Sequence, residues 1–167
     1  MFNQLTKKDI EDMQAEIENR KVVIRPKLLE AVKEARAHGD LSENFEYYAA
    51  KKEKNANESR IRFLERMIKT AEVIDDSSAD DEVGINDTVK VLFEEDNTED
   101  DFTIVSTMRG DSLKGLISFE SPMGKALIGK KVGDRVNIEV NKEYSYYVKV
   151  VKISKDNLGE EAKIRSF

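Results

Sequence analysis

The sequence predicts an α+β chain of two domains. A long antiparallel helical hairpin covers residues 1–75, an acidic linker covers 76–83, and a small α+β domain covers 84–167. Three observations predict this. Apolar residues recur at helical spacing on both sides of Gly39, the only glycine between Met1 and Ile74. The stretch Asp75–Glu82 is acidic and has no large apolar side chain, as a domain boundary would. Beyond it the apolar period changes from helical to alternating.

Thr6 opens the first helix, with Asp9 three residues on as a weak capping box. Ile10, Met13, Ile17, Ile24, Leu28, Ala31 and Ala35 then form a heptad-like stripe that Arg20 interrupts. Pro26 lies inside this pattern and predicts a kink or a local loosening. The stripe resumes with Phe45, Ala49, Ala56, Phe63 and Met67, flanked by Ile61, Leu64 and Ile68. Both stripes read as the seam between two helices. About 30 residues each, at 1.5 Å rise, give a rod of about 45 Å.

In the second domain Val89, Val91 and Phe93 alternate with polar residues. So do Phe102 and Ile104, then Val136, Ile138 and Val140, then Tyr146, Val148 and Val150. Glu94–Asp101 holds six acids in eight residues and reads as a solvated hairpin loop. Ser121 caps a short helix with Pro122 at its first position, and Lys130–Asp134 turns into the next strand. Met123, Gly124, Lys125 and Lys130 form an exposed-looking turn that could supply a docking surface.

The hairpin reverses at His38-Gly39-Asp40-Leu41-Ser42-Glu43-Asn44-Phe45-Glu46-Tyr47-Tyr48. Glycine suits a sharp reversal between helices. Two readings of its acids stand side by side. Asp40 can cap the second helix with Glu43 at its third position, and Glu43 would then share a face with Glu46. Alternatively, carboxylates crowded at a protruding tip wait for a cation. Mg²⁺ often takes only one or two protein carboxylates and fills its shell from water or phosphate. Two acids make no complete metal site, but they can complete one that a partner supplies. Arg36, Lys51, Lys52 and Lys54 form a basic collar behind the tip, suited to phosphates.

Composition excludes much. Net charge is −6, so bulk electrostatics do not bind nucleic acid. Residues up to Asp75 hold fifteen basic and fifteen acidic side chains, so the tip acids matter by position. There is no cysteine, and His38 is the only histidine, which removes thiol chemistry and histidine metal clusters. No phosphate-binding glycine loop is present. No apolar run is long enough for a membrane span, and a cytoplasmic monomer is the default.

Arg25-Pro26, Ala35-Arg36-Ala37-His38-Gly39-Asp40-Leu41-Ser42-Glu43-Asn44, Glu46-Tyr47 and Ala49-Ala50-Lys51 resemble the hairpin of the bacterial Gre transcript cleavage factors. Ser121–Asp134 is similar to their C-terminal domain, which is FKBP-like. The resemblance covers nearly the whole chain, with Phe45 where a small alanine is usual and Tyr48 where histidine is common. It implies a regulator rather than an enzyme. Its coiled coil would enter the secondary channel of RNA polymerase, where Asp40 and Glu43 would help hold a Mg²⁺ shared with the polymerase beside the RNA 3′ end. Gly39, Asn44, Glu46 and Tyr47 would support the tip, and Met123, Gly124, Lys125 and Lys130 would dock. The chain would have no cofactor of its own. The alternatives are a same-fold inhibitor that plugs the channel and a peptidyl-prolyl isomerase.

Overall fold

The computed structural model describes residues 3–39 and 44–166 and divides into two compact units. Lys7–Glu72 form one; Val73–Ser166 and residues 3–6 form the other. The chain is α+β, with a long helical hairpin followed by a sheet domain.

The hairpin's first arm is helix α1 (Lys7–Asn19), a π-helical turn (Arg20–Ile24) and helix α2 (Arg25–Arg36), with right-handed helical backbone through both joints. The expected loosening at Pro26 takes the form of that wide turn. Proline has no N–H to return, and its ring crowds the carbonyl four residues back. A π turn relieves this, and Arg25 N donates to Arg20 O five residues earlier. The turn also inserts one residue into the repeat. Buried or half-buried positions run Met13, Ile17, Arg20, Ile24, Leu28, Val32, Ala35. An uninterrupted three-four repeat from Ile24 would place Lys27, Ala31 and Glu34 on the seam, and all three are exposed. Ala31 is therefore off the seam, and Val32 replaces it.

Helix α3 (Phe45–Lys69) returns antiparallel and packs on α2. Its seam runs Tyr47, Ala50, Lys54, Asn57, Ile61, Leu64, Ile68, at unbroken three-four spacing. The expected stripe began on the wrong face: Phe45 is 84% exposed, and Ala49 and Ala56 are exposed too. Ile61 and Leu64, read as flanks, are the buried apolar residues. Several polar groups at the seam are paired. Asn57 accepts from Arg20 Nη1 at 2.9 Å, and Arg20 Nε reaches Glu16 at 2.7 Å. Arg60 grips the same Glu16 through Nε (2.8 Å) and Nη2 (3.1 Å). Arg25 makes a two-pronged bridge to Glu58 at 2.7 and 2.8 Å, and Lys21 reaches Glu65 at 2.6 Å.

Strands β1 (Gln4–Leu5) and β2 (Glu72–Val73) pair as a ribbon too short for any sequence alternation to reveal. The main sheet comprises β3 (Thr88–Phe93), β4 (Thr98–Val105), β5 (Leu116–Ser118), β6 (Arg135–Glu139) and β7 (Ser145–Ser154), in the order β5-β4-β3-β7-β6. Only β4 and β5 run parallel. The expected alternation holds: Val89, Val91, Ile104, Val136, Ile138, Val148 and Val150 are buried on one face. Val140 lies beyond β6 and is exposed. The expected acidic loop is shorter than its composition suggested. Glu99, Asp100 and Asp101 belong to β4 and stand opposite Leu92, Val91 and Lys90. Only Glu94–Asn97 turn, with Asn97 at φ +58°.

Helix α4 (Pro122–Leu127) closes the core, with Ser121 Oγ accepting from Gly124 N at 3.1 Å and Pro122 in the first turn, as read from the sequence. Asp87, 1% exposed, knots the start of the unit to its end. It accepts from Lys155 Nζ (2.6 Å), Gly84 N (2.7 Å) and Asp156 N (2.9 Å).

Candidate functional site

The base of the hairpin tip is built from the end of α2 and the start of α3. Basic Lys33 and Arg36 occupy the last turn of α2, where the helix dipole favours cations. His38 N donates to Ala35 O at 3.2 Å. Gly39 follows at φ +120°, a conformation open to glycine and strained for other residues, so the reversal read from this glycine has its physical cause. Asp40 and Glu43, the central candidates, lie outside the described residues.

The cap of α3 corrects one reading. Asn44 is the N-cap: its backbone is extended and its Oδ1 accepts from Tyr47 N at 3.0 Å. The residue at the cap is thus Asn44 rather than the expected Asp40. Asparagine ranks with aspartate as a cap, so Asn44 was legible as one; the earlier acid simply competed for the role. Asn44 Nδ2 also donates to Ala35 O at 2.7 Å, which ties the two helix ends together.

Glu46 sits in the first turn of α3, and its Oε2 meets His38 Nδ1 at 3.0 Å across the reversal. Tyr47 is buried between two cations of the collar: Arg36 Cζ lies 5.5 Å from its ring centroid and Lys51 Nζ 6.0 Å. A hydrogen bond from Arg36 holds the Tyr47 phenol below its ordinary value, outweighing burial, and the charges of Lys51 and Lys54 add to it. Lys52 is exposed. The structure thus gathers Arg36, His38, Asn44, Glu46, Tyr47 and Lys51 around the reversal. Two large apolar groups stand outward beside them, Phe45 and half-exposed Tyr48.

The second candidate surface is only partly a surface. Met123 is half-buried and packs on the sheet core, and Gly124 is buried. A Cβ on Gly124 would collide with the Ser118 carbonyl oxygen, so this glycine permits the close approach of α4 to β5. Lys125 is exposed, while the backbone of Lys130 is used by Val83 N, which donates to its carbonyl at 2.9 Å. A helix of this amphipathic spacing presents Lys125 outward and turns Met123 inward, which the short sequence motif did not reveal.

Among the described residues no helix is long and apolar enough to cross a membrane. Comparison with known proteins adds what the geometry leaves open. The family model described as transcription elongation factor, N-terminal, matches residues 3–73, and that described as transcription elongation factor, GreA/GreB, C-term, matches residues 78–155. Transcription elongation factor GreA of Thermoanaerobacter pseudethanolicus is 48% identical over 137 residues, covering 81% of this chain and 87% of that protein. GreA of Streptococcus mutans is 45% identical over 152 residues, covering 90% and 94%. Among solved structures, that of the transcription factor Gfh1 is similar with 26% identity and a TM-score of 0.43, covering 90% of this chain and 96% of that one. With both halves of the chain matched in order and relatives above 40% identity over most of its length, the chain belongs to the GreA/GreB family of transcription elongation factors.

Proposed function

We propose that the chain stimulates RNA polymerase to cleave backtracked RNA, its hairpin entering the secondary channel as a coiled coil with Asp40 and Glu43 at the point. The observation that carries this reading is the place of the acidic pair. It falls at the reversal between α2 and α3, in a chain matched by both family models.

The donor set fits Mg²⁺. Two carboxylates are hard oxygen ligands, and Mg²⁺ takes few of them from any one protein. Glu46 is occupied by His38, and among the described residues no three potential ligands cluster. Asp40 and Glu43 would hold the ion jointly with the polymerase. Such an ion supplies an activated water and charge stabilisation at the leaving oxygen. Asn44 and Gly39 fix the chain ends that carry the acids. Arg36 and Lys51, with Lys52 beside them, put positive charge behind the point, where it favours the phosphates of the RNA 3′ end. The second unit, FKBP-like in the family, gives docking affinity through the Lys125 side of α4, while Met123 and Gly124 serve its core. One copy of the chain suffices for each polymerase.

Transcript cleavage on a backtracked complex tests this. Asp40→Asn and Glu43→Gln should each lower stimulated cleavage by about 10²-fold while polymerase binding persists. The α3 cap itself, Asn44, is untouched by both substitutions. Full stimulation by both variants would refute the proposal.

A further inference from the structure

Helix α3 has a second face, opposite the seam. Phe45, Tyr48, Ala49, Lys52, Asn55 and Ala56 lie on it, all exposed and none acidic. Phe45 and Tyr48 are three residues apart, so the helix sets them side by side at its first turn. They are 84% and 50% exposed. Tyr48 rests on a fixed neighbour. Its ring lies 5.7 Å from that of Tyr47, which is buried between Arg36 and Lys51.

Size decides what such a patch can hold. An exposed phenyl and a half-exposed phenol fall far short of the roughly 1,000 Å² that a specific protein interface buries. A single nucleobase needs only one ring face, and stacking contributes about tenfold or more in affinity for each base. Charge favours the same occupant. Lys52 stands on the aromatic face one turn beyond Tyr48, and Lys51 flanks it. Glu46, the acid between the two rings in sequence, is drawn to His38. Rings interleaved with cations hold single-stranded nucleic acid, bases on the rings and phosphates on the cations.

We propose that Phe45 and Tyr48 form a stacking platform for the unpaired base at the RNA 3′ end, with Lys52 placed for its phosphate. This rests on the proposed cleavage function and names how the transcript is gripped. The rings touch the substrate without taking part in hydrolysis. Their loss should therefore raise the factor concentration needed, while the acids set the rate.

The test uses the full chain with polymerase halted in a backtracked state. The RNA carries 2-aminopurine at its 3′ end, a base whose fluorescence falls when it stacks. Fluorescence is read on mixing, and cleavage is followed separately. Phe45→Leu and Tyr48→Leu, singly and together, keep apolar area but remove the ring; Phe45→Trp keeps a ring. Phe45 lies off the seam, so its leucine variant should fold as the parent does. The parent, Phe45→Trp and Asp40→Asn should all quench the probe. The double leucine variant should quench about threefold less and need about tenfold more factor for half-maximal cleavage. Unchanged quenching in the leucine variants overturns the platform, and so does a parent that does not quench, since the rings then meet an apolar wall of the polymerase. A response only when the probe sits in the non-template DNA strand overturns it too. Asp40→Asn separates the two levels of the reading. If it cleaves normally while the quench still needs the rings, the role of the acids falls and the platform stands. If it fails to cleave while the leucine variants quench normally, only the platform is lost.

Discussion

The hairpin and the sheet unit are held by different physics. The sheet unit closes a continuous apolar cluster in which Val89, Val91, Ile104, Leu127, Ile138 and Val148 are fully buried. The hairpin buries few apolar side chains along its arms and carries Arg20, Lys54 and Asn57 on the seam itself. Its arms are laced by Glu16–Arg60, Arg25–Glu58 and Lys21–Glu65. A slender pair of helices has too little interior to bury a core of the usual kind, so cross-helix polar contacts set its register instead. The two units should therefore fail under different insults. A cavity should harm the sheet unit most, and acid or a lost partner should harm the hairpin.

The largest effect is expected from the sheet core. Leu127→Ala removes a fully buried side chain from the contact between α4 and the sheet and should cost about 3 kcal/mol. Gly124→Ala should be comparably damaging, because its methyl would meet the Ser118 carbonyl oxygen in the backbone of the neighbouring strand. Denaturant unfolding followed by hydrogen exchange assigns the loss to one unit. Exchange that accelerates equally in α3 would break the comparison.

Acid should act on the hairpin. Burial pushes the Glu16 carboxyl up, but hydrogen bonds from Arg60 and Arg20 outweigh it and hold the group below its ordinary value of about 4.5. Arg25 does the same for Glu58. A folded-state pKa below the unfolded one gives a contribution that is complete above about pH 4.5. It is lost as pH falls through the lower folded value. Hairpin helicity should therefore decline as pH falls below about 4.5. In Glu16→Gln that decline should flatten, and Arg60→Ala should cost about 1 kcal/mol at neutral pH. Circular dichroism across this range checks both, and an unchanged acid profile in Glu16→Gln would show that the bridge carries no linkage.

What was legible follows the same division. Alternation along β3, β6 and β7 and the Ser121-Pro122 start of α4 were readable because burial there obeys a strict period of two or a local cap. The β4 acids were not, since Asp101 sits opposite Lys90, and a charged strand pairs without looking like one. On the hairpin the existence of two helices and a reversal at Gly39 was plain, but the phase was not. A π turn moved the seam from Ala31 to Val32, and nothing in the spacing upstream of Pro26 announces an inserted residue. On α3 the true seam holds Tyr47, Lys54 and Asn57, so a row of more apolar residues one face away outranked it. At the tip, the competing candidate Asp40 hid the capping role of Asn44.

Asn57 offers a finer test of how the hairpin keeps register. It is 3% exposed, opposite Arg20, and it takes part in two contacts with that residue. Asn57→Leu exchanges that pairing for apolar contact but leaves Arg20 with Glu16 alone. The net change in stability should stay within about 1 kcal/mol, because a buried polar group and a good apolar replacement nearly balance. What should suffer is uniqueness, seen as broadened amide resonances in the hairpin arms. Sharp resonances with raised stability would mean that the ion pairs alone fix the register.

The smallest effect is expected at Phe45, and it decides which face of α3 is the seam. A stripe through Phe45, Ala49, Ala56 and Phe63 would make this phenyl a core residue, and its removal would then cost about 3 kcal/mol. The fold instead leaves Phe45 84% exposed, one position past the cap and pointing away from the seam that Tyr47 begins. Phe45→Ala should therefore change stability by less than about 0.5 kcal/mol, the range of surface substitutions, and alanine at an early helical position adds a little helix propensity. Tyr47→Ala is the partner measurement. It removes a buried ring held between Arg36 and Lys51 and should cost several times more. Equal losses from the two substitutions in urea unfolding would place Phe45 in the seam after all.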